Sequence, residues 1–419
     1  MRNYIYYANF ATAATAFFAV HLHVCSPALG EVGYAMRGDT RPFHNWDSVF
    51  NEATRAVGGE GLVWQGGRAA LRPHLGFWFG YDDNVFFDSA NEVDDTYFTI
   101  APGLLLIYGS EENNYVTANY EFEDTTYTDE SSEDFSSHLA SLGVQLRHHA
   151  FILHLSDQLS NTRDVEVESA ERVERLLNTA QARLGRETHR KTSLEARGLY
   201  ETVQYDASGF VDYDEYAGGL DVLHSTWPKT QLFVGGTYGV VNMKDDNVVG
   251  DADYVEVSGG IRGRPFTRTT VQGRVGYEHR EFDDDIESID EWTALIGASR
   301  TLWRDSEVGV NVTRRLLPSS QVEGVTRVAS AVAPYFQHIL LHDLLAVSLN
   351  ASFENTDYYD RVGETDRNDD RYLLTGILDL RVISWITIGG GYTYEEQDSN
   401  AEGASYTRNL VFVRALGNY

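Results

Sequence analysis

Few cysteines, few prolines, few basic residues and no long apolar run mark this 419-residue chain, and each shortage excludes something. One cysteine cannot build a disulfide scaffold, and eight prolines are too few for a proline-rich, unfolded chain. Thirty-three Lys and Arg against sixty-three Asp and Glu leave a net charge of −30, so no basic face for nucleic acid exists. No segment beyond the N-terminus supplies the roughly 20 consecutive apolar residues that a membrane-spanning helix needs. Motifs are missing as well: there is no H-E-x-x-H, G-x-S-x-G, P-loop or G-x-G-x-x-G. The thirteen histidines are scattered, so no catalytic site is assigned and the chain is read as non-enzymatic.

What is abundant is aromatic and small: 25 Tyr, 20 Phe, 7 Trp and 37 Gly, a mixture that favours strands. Residues 1–30 hold one Arg, an apolar stretch around Ala11–Val20 and Ser26-Pro27-Ala28, the pattern of a cleaved secretory signal. Residues 31–67 read as a short periplasmic segment, and 68–419 as a single β domain.

From residue 68 onward, period-2 alternation dominates. Val116, Ala118, Tyr120 and Phe122 alternate with Thr117, Asn119, Glu121 and Glu123, and similar runs recur about every twenty residues. The pattern predicts eighteen strands near 69–81, 95–108, 113–125, 136–147, 150–161, 174–187, 192–205, 212–226, 229–242, 252–263, 268–280, 292–303, 306–317, 324–338, 342–357, 371–382, 385–396 and 405–419. Residues 169–178 could instead begin as a short helix, and Pro102 and Pro334 predict a bulge or a late strand start.

The connections differ by end. One set is short and bordered by Arg147, Arg190, Lys191, Lys229, Arg264, Arg268 and Arg304. The other is longer and acidic, at 82–94, 126–135, 162–173, 206–211, 243–251, 281–291, 358–370 and 397–404. Stretch 281–291 alone carries seven carboxylates. A soluble sandwich or solenoid has no reason to sort loop length and charge by strand end. A closed antiparallel transmembrane β-barrel does, with short periplasmic turns, long external loops and an even strand count. Trp227, Trp303 and Trp385 fit one interfacial girdle. Tyr81, Tyr97, Tyr127, Tyr277, Trp292, Phe353, Tyr372 and Tyr394 fit the other. The final strand runs through Val411 to close on the terminal aromatic Tyr419, which resembles the signal read by the outer-membrane assembly machinery. The expected location is the bacterial outer membrane, among its lipids and lipopolysaccharide.

Alternation also predicts the lumen. Inward positions carry Glu121, Glu123, Glu195, Arg197, Glu201, Glu256, Arg262, Arg274, Glu278, Arg280, Asn311, Glu354, Asp379, Arg381 and Glu395. Eighteen strands leave room for water, and charges of both signs suit a polar solute, although inward ion pairs could equally fill the space. Acidic stretches such as Asp245-Asp246 and Asp283-Asp284-Asp285 could hold Ca²⁺ but lack the spacing of a dedicated loop. No other cofactor is expected.

One stretch is more specific. Pro73 leads into Gly80-Tyr81-Asp82-Asp83-Asn84-Val85-Phe86, and Pro102-Gly103-Leu104 follows. This pattern resembles the putative β-barrel porin 2 family. Tyr81, Asp82, Asp83, Asn84 and Phe86 then form a rim turn that serves as a family signature, with Leu75, Phe77, Phe79 and Tyr81 facing lipid. The resemblance implies a setting in exopolysaccharide and capsule operons and an export pore for polysaccharide. It further implies a separate periplasmic polysaccharide-export partner, since 31–67 is too short for that domain. A nutrient-uptake porin and a structural or adhesive barrel are the competing expectations.

Overall fold

The computed structural model describes residues 61–64, 68–110, 113–166, 168–189, 191–244, 250–283, 286–303, 305–321, 325–341, 344–360 and 363–418. The expected signal, most of segment 31–67 and Tyr419 lie outside the described residues.

A three-residue strand, β1 (Leu62–Trp64), precedes eighteen long ones. In order these are β2 (Ala69–Asp82), β3 (Asp95–Gly109), β4 (Tyr115–Tyr127), β5 (Phe135–His148), β6 (Phe151–Glu166) and β7 (Glu171–His189). There follow β8 (Thr192–Tyr205), β9 (Tyr213–Trp227), β10 (Thr230–Met243), β11 (Ala252–Phe266), β12 (Thr269–Phe282) and β13 (Ile289–Trp303). The last are β14 (Ser306–Pro318), β15 (Thr326–Leu340), β16 (Leu345–Asp360), β17 (Gly363–Ile383), β18 (Ile386–Ser399) and β19 (Tyr406–Asn418). Each pairs antiparallel with the next, and β19 pairs back onto β2, so the sheet closes. All eighteen expected strands are present.

Closure follows from solvent: lipid offers no hydrogen bonds, so an open edge in the bilayer would strand a row of N–H and C=O groups. The outer face is apolar and uncovered. Val255 and Val257 are exposed, whereas Tyr254, Glu256 and Ser258, one residue out of phase, are buried. Trp227, Trp303 and Trp385 are exposed at the short-turn end, and Tyr81, Tyr277, Trp292, Phe353 and Tyr372 towards the other. Tyr97 and Tyr127, expected in the second girdle, are buried instead. Both fall on the inward phase of their strands.

Inward aromatic rings lie over glycines of the neighbouring strand. A Cβ at Gly80 would meet the Tyr97 ring at 2.5 Å, one at Gly239 the Tyr254 ring at 2.2 Å, and one at Gly391 the Phe412 ring at 2.5 Å. Each pair is directly cross-strand. The missing side chain lets the ring press against the wall, which adds contact area while sparing the lumen.

Three local expectations need correction. Residues 169–178 contain no helix, because β7 begins at Glu171 directly after a tight turn. The acidic connections at 162–173 and 358–370 are mostly strand, with β6 and β7 paired out to Glu166↔Glu171 and β16 and β17 out to Asp360↔Gly363. Charge ended the apolar pattern there, but beyond the membrane a ladder needs only its backbone bonds. Neither proline makes a bulge. Pairing of β3 with β4 skips from Ile100↔Asp124 to Gly103↔Glu121 in unchanged register, while Pro102 stays paired with Leu75. Pro334 opens the β15–β16 ladder likewise. The missing N–H removes bonds on one side without displacing the strand.

Candidate functional site

The charged side chains sort into two walls and a mouth. On the β7–β12 wall, ion pairs climb from the short-turn end. Lowest, Glu195 accepts from both Arg262 Nη atoms at 3.2 Å, with Arg183 Nη1 3.5 Å away. Above it Asp221 is shared by Arg197 Nε at 2.8 Å and Arg274 Nη2 at 2.6 Å, and Arg274 also donates to Ser258. Higher still Glu278 pairs with Arg280 at 2.8 Å, Arg280 lies under the Tyr254 ring, and Tyr254 donates to Glu215 at 2.6 Å. Buried Glu256 shares the inward phase of β11. Glu201 accepts from Thr179 and Tyr213 on adjacent strands.

On the opposite side Asp379 takes Arg414 in a two-pronged grip, 3.0 and 2.8 Å, and Glu395 accepts from Arg371 and from Tyr406, each at 2.6 Å. Glu121 lies 2.9 Å from His74 Nε2, and Glu123 is buried near it. Glu354 and Arg381 are half-buried, and Asn311 stands between Gly297 and Ala333 across its two ladders. The predicted residues are therefore distributed over the inner surface rather than gathered at one point. Sequence reasoning missed Asp221 and Arg183, although both lie on the buried phase of an alternating strand and extending the pattern would have found them.

The family-like stretch does something other than turn in water. Asp82 has no exposed surface and is the acceptor at the centre of a charged cluster. Arg408 of β19 donates to it through Nε at 2.9 Å and through Nη2 at 2.5 Å; Tyr127 donates at 3.3 Å and Arg172 Nη2 lies at 3.9 Å. Asp83 accepts from Asn409 backbone and side chain at 2.6 and 2.7 Å, and Asn84 donates to Thr407 at 2.9 Å. Three consecutive residues of the first barrel strand and its exit thus clasp three consecutive residues of the last. Only nine residue pairs join β2 to β19, against sixteen between β6 and β7, so the clasp reinforces a short seam. Tyr81 and Phe86 remain exposed. Phe87, next in the chain, is buried, at φ +58, between Arg408 and Arg172. Farther along this connection, backbone N–H groups of Ala90 and Asn91 donate to Asp88 and hold its carboxyl below the ordinary value.

The mouth is crossed by the β6–β7 hairpin. Both faces of its tip are engaged. One carries Val165 and Ala170, packed with Phe87 and Tyr406, while Arg172 faces Tyr127 and Phe135. The other carries Glu166 and Glu168. Glu166 accepts from Arg175 at 2.8 Å, Tyr205 at 3.2 Å and Ser320 at 3.2 Å, with Arg327 at 3.5 Å. Glu168 accepts from Ser319 Oγ at 2.8 Å and the Ser320 N–H at 3.0 Å, with Arg327 Nε at 3.2 Å; its backbone carbonyl accepts from Arg367 at 2.7 Å. Around the barrel β7 and β15 are eight strands apart one way and ten the other, so these contacts span the opening. The β8–β9 connection also arrives there, where the Val211 N–H donates to Ser320 O at 2.9 Å. Nothing local in the sequence signals this arrangement, since Glu168 and Ser319 lie 151 residues apart.

Most positions expected to bind Ca²⁺ (Asp245, Asp246, Asp284, Asp285) lie outside the described residues, and among the described residues no group of three metal-ligating side chains converges.

The family profile described as "Putative beta-barrel porin 2" matches residues 65–417. No curated protein sequence matches. Similar solved structures include OccK2 (OpdF) of Pseudomonas aeruginosa, 9% identical with a TM-score of 0.44, covering 86% of this chain and 99% of that one. OccAB4 of Acinetobacter baumannii is 10% identical with a TM-score of 0.40, covering 83% and 98%. The siderophore receptor PirA of Pseudomonas aeruginosa is 9% identical with a TM-score of 0.42, covering 83% and 80%. At these values the likeness bears no further weight.

Proposed function

The chain belongs to the putative β-barrel porin 2 family, and from that premise we propose that it is a pore through which exopolysaccharide or capsular polysaccharide leaves the cell. As a porin-type β-barrel it resides in the bacterial outer membrane. The observation that carries the export reading is the β7–β12 wall. Acceptors and donors of both signs rise along it, from Glu195 through Asp221 to Glu278, while aromatic rings are folded flat onto glycines. These groups are already paired with one another and little exposed, so a hydrated sugar chain passes them without meeting a single deep well, and conduction is passive. A periplasmic polysaccharide-export protein would deliver the chain to the short-turn end.

Gene deletion tests this: loss of surface polysaccharide, restored by the wild-type gene, is expected. Unchanged polysaccharide refutes it. The hairpin across the mouth favours a second reading, a structural or adhesive barrel that conducts nothing. A barrel that stays closed in bilayers even when the hairpin is released, together with surface binding that depends on its loops, would establish that reading.

A further inference from the structure

We propose that the external mouth contains a carboxylate-binding site built from Arg175, Arg327, Tyr205, Ser319 and Ser320, that Glu166 and Glu168 occupy it as stand-in ligands, and that carboxylates of an acidic polysaccharide displace them to open the pore. The inference takes its ligand from the export reading, whereas the site itself stands on geometry.

Both carboxylates are almost fully buried, and each is met by several donors: guanidinium groups, hydroxyls and the Ser320 N–H. Such a donor set recognises a carboxylate whatever chain carries it. The glutamates arrive on the tip of a hairpin that is otherwise held by a small apolar contact among Phe87, Val165, Ala170 and Tyr406, by Arg172 against Tyr127 and Glu133, and by Arg367 at the Glu168 carbonyl. The tip lies across the opening, so a chain leaving the barrel must move it. Moving it without replacement would leave Arg175 and Arg327 without the carboxylates that face them, a costly state in a partly desolvated mouth. A neutral sugar cannot replace them. A uronate or pyruvylated residue can, because it brings the same group to the same donors, and the site then favours the open hairpin by its differential affinity for the two states. The mouth thereby selects acidic polymers.

Planar-bilayer recording of the purified full-length barrel tests this with hexagalacturonate and, as neutral control, maltohexaose. Wild type is expected to be mostly closed, and hexagalacturonate to raise its open fraction with concentration while maltohexaose does not. The E166Q/E168Q variant, checked for heat-modifiable gel mobility, is expected to be open about tenfold more often without any sugar, as the loss of charge-assisted bonds implies. Equal effects of the two sugars on wild type, an arm that needs no variant, would overturn the proposal, as would identical open fractions in wild type and a folded variant. A wild type opened by hexagalacturonate, in a strain whose surface polysaccharide ignores deletion of the gene, would keep this site and remove the export reading.

Discussion

Replacing Asp82 with alanine should loosen the barrel at its seam. The carboxylate accepts twice from Arg408, once from Tyr127 and once from the Asn84 N–H, with Arg172 close by. Asp82→Ala leaves Arg408 buried with Glu395, 3.9 Å away, as its remaining ion-pair partner. Breaking a buried pair from one side costs about 3–5 kcal/mol, much of it the uncompensated charge left behind. Removing both partners with Asp82→Ala/Arg408→Met should therefore cost less than the sum of the single changes, by about 2 kcal/mol. Urea unfolding of detergent-folded barrels, followed by tryptophan fluorescence, gives all three values. A loss below about 1 kcal/mol for Asp82→Ala, or strict additivity in the double variant, would show that the cluster is incidental to the seam.

The glycine–aromatic pairs give a second test. Gly80→Ala forces the Tyr97 ring off the wall and should cost about 1–3 kcal/mol in the same unfolding assay, with no cost if the ring simply swings into the lumen. On the outer face, Val257→Arg should cost about 2–4 kcal/mol if it lies near the bilayer midplane, and the cost should shrink towards either girdle. Inside, Glu195→Gln leaves Arg183 and Arg262 without their shared carboxylate, so the reversal potential under a KCl gradient should move towards anion preference. The lowered Asp88 carboxyl stabilises its connection above the ordinary carboxylate range, and that contribution is lost as pH falls through the lowered value. Amide exchange at Ala90 and Asn91 should accelerate on acidification and become pH-independent in Asp88→Asn, once intrinsic exchange is corrected.

Strand number, strand order and the face of most side chains, though not of Tyr97 and Tyr127, were legible because a membrane barrel must alternate, and alternation is a two-residue pattern. The pattern lost its meaning where the strands left the membrane. At 162–173 and 358–370 both faces meet water or protein, so the sequence there reads as loop while the backbone stays paired. The acidic run at Asp82 misled for another reason. Its partners, Arg408 and Asn409, are 326 residues away, and two adjacent aspartates look solvated until those partners are in place. The mouth was hidden likewise, because Glu168 finds Ser319 only once the barrel has closed.

That separation has a consequence for how the barrel comes into being. β2 emerges early in synthesis with one edge committed to β3, and from His74 to Asp82 its other edge has to wait for β19, more than 320 residues later. Loop-closure entropy makes so distant a meeting slow, and every intermediate before it carries two raw edges. A ribosome that stops anywhere before Arg408 yields not a slightly weaker barrel but one that cannot be sealed. The Asp82-Asp83-Asn84 triplet is then a checkpoint in time, met only by a chain made at least as far as Asn409.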